Sequence, residues 1–322
     1  MDPGQVISWT RVLVLFFALG IAAWLDNKER RVPNNFWITW SKPAIFLWTL
    51  DLMINNAPWY VYASAAGMVA YASIAVIGRP TSSDILDGNR LDIVVSLWYV
   101  IGIVGIIQGI TLHGSLGIDV INGVADNEAM LWWSTIAVAL PIFLVDFAWR
   151  MRLIHGGADS KCLMWVAILI PNWESVPILY PSEPLLSLPP AIALLMWGGA
   201  VFIILPFIFI IVNLLRGGGP IKLIWHAYQL DLEEAQNRHV WILTSIVEMP
   251  NEGRKIMHKT RAPSRTPSNN EIQKLIEELK ENDVDTVWVT PKLPLLAFLW
   301  PSVLPLVLIG GPMAYIMPLL GL

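Results

Sequence analysis

Eight apolar runs recur along this chain of 322 residues: 7–25, 35–54, 59–77, 91–111, 129–149, 160–172, 189–215 and 294–320. A helix rises 1.5 Å per residue, so about 20 residues cross the roughly 30 Å of bilayer hydrocarbon. Lipid offers no partner to a backbone N–H or C=O, so an apolar run that enters it must satisfy its own hydrogen bonds as a helix. The runs therefore predict membrane helices. The sixth is short, and either stops within the membrane or continues irregularly through the proline-rich stretch 177–190. Pro301, Pro305, Pro312 and Pro318 interrupt the last, which predicts a kinked helix or a re-entrant pair.

Lys and Arg set the expected orientation. The connection after the first run carries Lys28, Arg30 and Arg31; after the third come Arg79 and Arg90, and after the fifth Arg150, Arg152 and Lys161. The seventh leads into a long segment of mixed charge. Connections 55–58, 112–128 and 173–188 hold no Lys or Arg. Basic loops stay on the cytoplasmic side, so the N-terminus is expected outside and each odd-numbered span is expected to end in the cytoplasm. Arg11 and Lys42 fall within apolar runs but close enough to an end to snorkel. The run 12–25 lacks a small-residue cleavage pattern and meets Asp26 and a basic cluster at once, so it reads as a retained span.

Composition agrees. Hydrophobic residues make up 55% of the chain and charged residues 14%, with a mean hydropathy of +0.57; soluble domains are nearer 45–50% and about 25%. The 17 Trp residues suit membrane–water boundaries. A net charge of −4 offers no basic field for nucleic acid. With one cysteine, Cys162, the chain can form no internal disulfide and no cysteine-based zinc site. The five His residues show no metal-ligand spacing, so neither metal nor cofactor is expected.

One segment is not membrane. A Gly217-Gly218-Gly219-Pro220 linker opens a polar stretch, 221–290. Within it, 240–247 and 284–289 read as strands, 269–280 as a capped amphipathic helix, and 254–270 as a mobile loop. The expected fold is an all-α polytopic membrane protein of about eight transmembrane helices with a small cytoplasmic α+β domain before the last span. Its parts are a membrane core at 1–215, the cytoplasmic domain at 216–291 and a final membrane segment at 292–322.

Ionisable groups at membrane depth are costly and mark function. Asp26, Asp51, Asp92, Asp146 and Asp159 lie in or at the edges of the runs. Asp51 falls at an outer end and the other four at cytoplasmic ends. Their neighbours separate them. Asp159 stands in His155-Gly156-Gly157-Ala158-Asp159-Ser160-Lys161, where small residues leave room for a backbone to approach. Asp26 opens Asp26-Asn27-Lys28-Glu29-Arg30-Arg31-Val32-Pro33-Asn34, where Pro33 and Asn34 end one helix and start the next. Two carboxylates brought together share a proton, so that one activates water and the other protonates a carbonyl oxygen or leaving amine.

An Asp at the end of the first span, followed by a basic residue and Val-Pro-Asn, resembles the type IV prepilin peptidases. So does the later Gly-x-Gly-Asp-like run with Lys161 two residues on. The match is best with the archaeal branch, the preflagellin (archaellin) and prepilin peptidases, and 287–294, Val-Trp-Val-Thr-Pro-Lys-Leu-Pro, is similar to the entry into its last span. The resemblance implies a GxGD aspartic protease that cuts a short basic leader from archaellin or pilin precursors on the cytoplasmic side. Asp26 and Asp159 then correspond to the catalytic pair, Lys161 to the basic residue and Gly156 to the first glycine. Gly157 takes the variable place. Ala158 departs from the second glycine and narrows the cleft, and the fourth and fifth spans are additions to the archaeal plan. One cysteine cannot supply the Cys-x-x-Cys pairs of bacterial enzymes, so peptidase activity without methylation is expected.

Other residues have plainer readings beside functional ones. Lys161 serves either topology or the charge state of the pair, while Lys28, Arg30 and Arg31 read as topology signals. Asp84, Asp87, Asp231, Glu233 and Glu234 are candidates to meet a basic leader. Gly105 and Gly109 form a Gly-x-x-x-Gly pair, a weak sign of helix association. Alternatives to the peptidase are a proton- or cation-coupled transporter or scaffold, and a presenilin- or signal-peptide-peptidase-like protease. Nothing in the sequence sets an oligomeric state.

Overall fold

A computed structural model describes residues 2–154, 156–180, 188–249, 253–263 and 267–319. The chain divides into two compact units, Met1–Gly199 with Pro294–Leu322, and Ala200–Leu293. The first begins with α1 (Pro3–Glu29), α2 (Asn34–Ile54), α3 (Trp59–Ile77), the short α4 (Ser82–Leu86), α5 (Arg90–His113), the short α6 (Gly117–Ile121), α7 (Asn127–Ala137), α8 (Ala139–Arg150) and α9 (Gly157–Leu169). α10 (Pro190–Leu215) starts in the first unit and ends in the second.

The second unit holds β1 (Tyr228–Asp231), α11 (Leu232–Asn237), β2 (Val240–Ile242), β3 (Thr244–Met249), β4 (Gly253–His258), α12 (Asn269–Glu281) and β5 (Thr286–Pro291). The chain then returns to the first unit with α13 (Leu296–Leu299), α14 (Val303–Ile309) and α15 (Met313–Leu319).

Five of the apolar runs become helices long and apolar enough to cross a membrane, among the described residues: Pro3–Glu29, Trp59–Ile77, Arg90–Ile121, Asn127–Arg150 and Pro190–Leu215. α2 is 21 residues long but more polar. α9 has 13 residues, short for a crossing. The last run is broken into α13, α14 and α15, as its prolines imply. The α7–α8 break at Val138 precedes Pro141, whose ring excludes a regular turn behind it. Phe202, Ile203, Phe207, Ile208 and Ile211 on α10 are exposed, a surface suited to lipid and costly in water.

α9 is the centre of the first unit. Cys162 through Ile170 are all buried, because α1, α2, α3, α8 and α13 pack around it. α3 and α5 approach closely through glycine. A Cβ on Gly67 or Gly102 would strike the other's backbone, and one on Gly105 would lie 2.6 Å from the Tyr60 carbonyl oxygen. On the same face, Gly109 is covered by the Trp132 indole. The contact therefore uses more than the Gly105 and Gly109 pair.

In the second unit β5 is central, flanked antiparallel by β1 and β2, with Leu230 opposite Val287 and Trp241 opposite Thr290. α12 starts with a capping box in which Ser268 and Glu271 satisfy each other's backbone N–H. Leu230, Leu232, Leu279, Val287 and Val289 form the core. Two expectations are corrected here. The stretch 240–247 is not one strand: Leu243, fully buried with Leu223, Ala227 and Trp288, separates β2 from β3. The stretch 254–270 is not all loop, because 254–258 belong to β4, which pairs with β3 in a two-stranded ribbon. Its residues 254–258 are exposed, so no alternating apolar face marked it. Residues 264–266 of that stretch, and 181–187 of the proline-rich stretch, lie outside the described residues.

Candidate active site

Four helix ends meet at one end of the first unit. Asp26 lies in the last turn of α1, which closes at Arg30 in the left-handed conformation (φ 54°), its N–H donating to the Asp26 carbonyl at 3.0 Å. Val32 is buried and anchors the turn. Pro33, not Asn34, is the N-cap of α2, and no side chain caps that helix. The Asn34 amide is used elsewhere: its Nδ2 donates to the Val76 carbonyl near the end of α3 at 2.8 Å, and its Oδ1 accepts from Lys161 Nζ at 2.7 Å. One side chain thus ties the start of α2 to the end of α3 and the start of α9. Nothing in the sequence beyond its place in the Val-Pro-Asn run marked Asn34 for this.

Asp159 sits in the first turn of α9, behind Gly156 as N-cap, and its N–H donates to the Gly156 carbonyl at 3.1 Å. A Cβ on Gly156 would land on the Asp159 carboxylate, whereas one on Gly157 would meet nothing within 4 Å. The first glycine is therefore a requirement of space, not of backbone conformation. Ala158 is partly buried and packs against the core. α1 and α9 are in contact, and the Asp26 and Asp159 carboxylates lie within electrostatic reach of each other. Asp26 is buried and Asp159 half-buried. Arg30 lies within electrostatic reach of Asp26.

The remaining acidic candidates are differently placed. Asp51 accepts an ion pair from the buried Arg11 at 3.0 Å, and Asp146 one from Arg150 at 2.8 Å. Asp92 is buried in the first turn of α5. Two carboxylates placed side by side can share a proton and hold a water between them. Lys161 is bonded to Asn34. Cys162 is free and buried. Asp84 accepts from Thr81 in the cap of α4, and Asp87 is exposed at its end. Asp231, Glu233 and Glu234 share the β1–α11 corner of the second unit, where Glu234 pairs with Arg238.

Residues 219–311 match the family model described as Archaeal Peptidase A24 C-terminus Type II. The preflagellin peptidase of Methanococcus voltae is 27% identical over 233 residues, covering 71% of this chain and 90% of that protein. The chain is thus similar to an archaeal preflagellin peptidase over most of both lengths, as the two aspartate motifs indicated. The matches support a membrane leader peptidase.

Proposed function

We propose that the chain is a multi-pass membrane aspartic endopeptidase that removes the short basic leader of archaellin or type IV pilin-like precursors. It cuts on the cytoplasmic side, where Asp26 and Asp159 lie at the same membrane edge. The juxtaposition of two carboxylates from helix ends far apart in the chain carries this reading.

In the proposed reaction one carboxylate takes a proton from a water held between the two. The hydroxyl oxygen adds to the scissile carbonyl carbon while the protonated partner gives its proton to the carbonyl oxygen. Collapse breaks the C–N bond, a proton passes to the leaving amine, and the products are a carboxylic acid and a free amine. The Asn34 tie and the space above Gly156 keep the two carboxylates in register. Asp84, Asp87, Asp231, Glu233 and Glu234 are retained as candidate contacts to a basic leader.

The test is cleavage of an archaellin precursor by membranes carrying full-length protein. Asp26→Asn and Asp159→Asn should each lower the rate by on the order of 10³-fold or more, since positioned acid–base groups contribute about 10²–10⁴. Expression and melting behaviour should stay close to wild type. An Asp159→Asn protein that still cuts at the wild-type rate would eliminate the mechanism.

A further inference from the structure

Beside the carboxylate pair, α2, α3, α5 and α9 enclose a cleft. Its walls are nearly all apolar, with Trp37 and Ile45 from α2, Val69 from α3, Trp98 from α5 and Trp165 from α9. Two ammonium groups line the same cleft, Lys42 and Lys161. Lys42 is exposed, about two turns into α2. Lys161 reaches Asn34 at 2.7 Å, and Arg31 is within electrostatic reach of it. None of these three cations is in an ion pair among the described residues. Ammonium groups on an apolar wall with no anion beside them are costly at membrane depth, and their stems snorkel toward the polar boundary.

We propose that this cleft holds one anionic membrane lipid. Its hydrocarbon chain lies against the tryptophan walls, and its phosphate is shared by Lys161, Arg31 and Lys42. Charge decides the occupant. A precursor helix would satisfy the apolar walls, but the basic leader attached to it would meet the like charges of Lys42 and Lys161 on those walls and of Arg31 near Lys161. An anionic headgroup meets three opposite ones. A zwitterionic lipid would bring its own cation to the same place. The proposal rests on the chain lying in a membrane, and not on its being a peptidase, so lipid binding and cleavage fail independently.

The experiment uses full-length protein in phosphatidylcholine nanodiscs doped with phosphatidylglycerol, with bound lipid counted by native mass spectrometry after release into detergent. The wild type should retain one phosphatidylglycerol per chain. Lys42→Gln should weaken retention roughly fivefold and Lys42→Gln with Lys161→Gln roughly 25-fold, at about one factor of five per basic residue near a membrane surface. Val95→Trp, which fills the cleft and leaves every charge in place, should also expel the lipid. Lys42 is exposed, so its variant tests the charge without disturbing the core. Retention unchanged in the folded Lys42→Gln protein overturns the proposal, as does equal retention of phosphatidylcholine. Displacement of the lipid by a leaderless precursor peptide, one for one, would also overturn it and assign the cleft to substrate.

Discussion

Asp159 keeps its place because nothing stands at the β position of residue 156. The Cβ of an alanine there would occupy the space of the carboxylate itself, so the side chain must rotate away or α9 must shift. A displacement of about 1 Å at a reacting group costs on the order of 10² in rate. Gly156→Ala should therefore lower precursor cleavage at least about 100-fold with the fold retained. Gly157→Ala, which meets only open space, should stay within a few-fold of wild type. Equal losses in the two variants would show that both glycines serve the backbone. At this scale the two aspartates were legible because their flanking residues are unusual: small ones before Asp159, a basic run and Val-Pro-Asn after Asp26. The partner of Lys161 was not legible. A long side chain reaches any of several acceptors, and sequence spacing does not say that residue 34 lies beside residue 161.

The helix contact of α5 on α3 depends on a glycine face. Residues 102, 105 and 109 lie three and four apart, on one side of the helix, and each would bring a Cβ into backbone or ring atoms of the neighbours. Small residues at such crossings let backbones touch, which is the main source of helix attachment in lipid. Gly102→Val should force α3 and α5 apart and cost about 1–3 kcal/mol, as overpacking does. The change should appear as a lower melting temperature of the detergent-solubilised protein. Val100→Ala, on an exposed position of α5, should leave it unchanged. Looking for a single Gly-x-x-x-Gly pair missed this face, since Gly102 stands outside that spacing but shares the same side of the helix. Elements with a strong periodic or capping signal, such as α12 behind Ser268 and Glu271, were readable from the sequence. β4 was not, because a ribbon strand with no buried face carries no alternation to read.

For the whole chain, the distribution of Lys and Arg makes a prediction that the structure by itself does not. Basic residues flank one set of helix ends and are missing from 55–58, 112–128 and 173–188. A single Lys or Arg on the wrong side resists translocation, and the same bias at three alternate connections gives consistent sidedness. The helices α5, α7 and α8 lie between the two aspartates, and two crossings there would leave that alternation intact. Asp26 and Asp159 can then share one membrane edge even though four apolar runs separate them. Single-cysteine proteins test this directly, starting from Cys162→Ala. Asn55→Cys and Asn122→Cys should react with an impermeant maleimide applied to intact cells. Ser82→Cys should react only after lysis. All three positions are exposed, so access decides the result and burial does not. If Ser82→Cys labels from the same side as Asn122→Cys, α5 does not cross the membrane. These helices would then lie outside the alternation, and the shared edge of the aspartate pair would need another explanation.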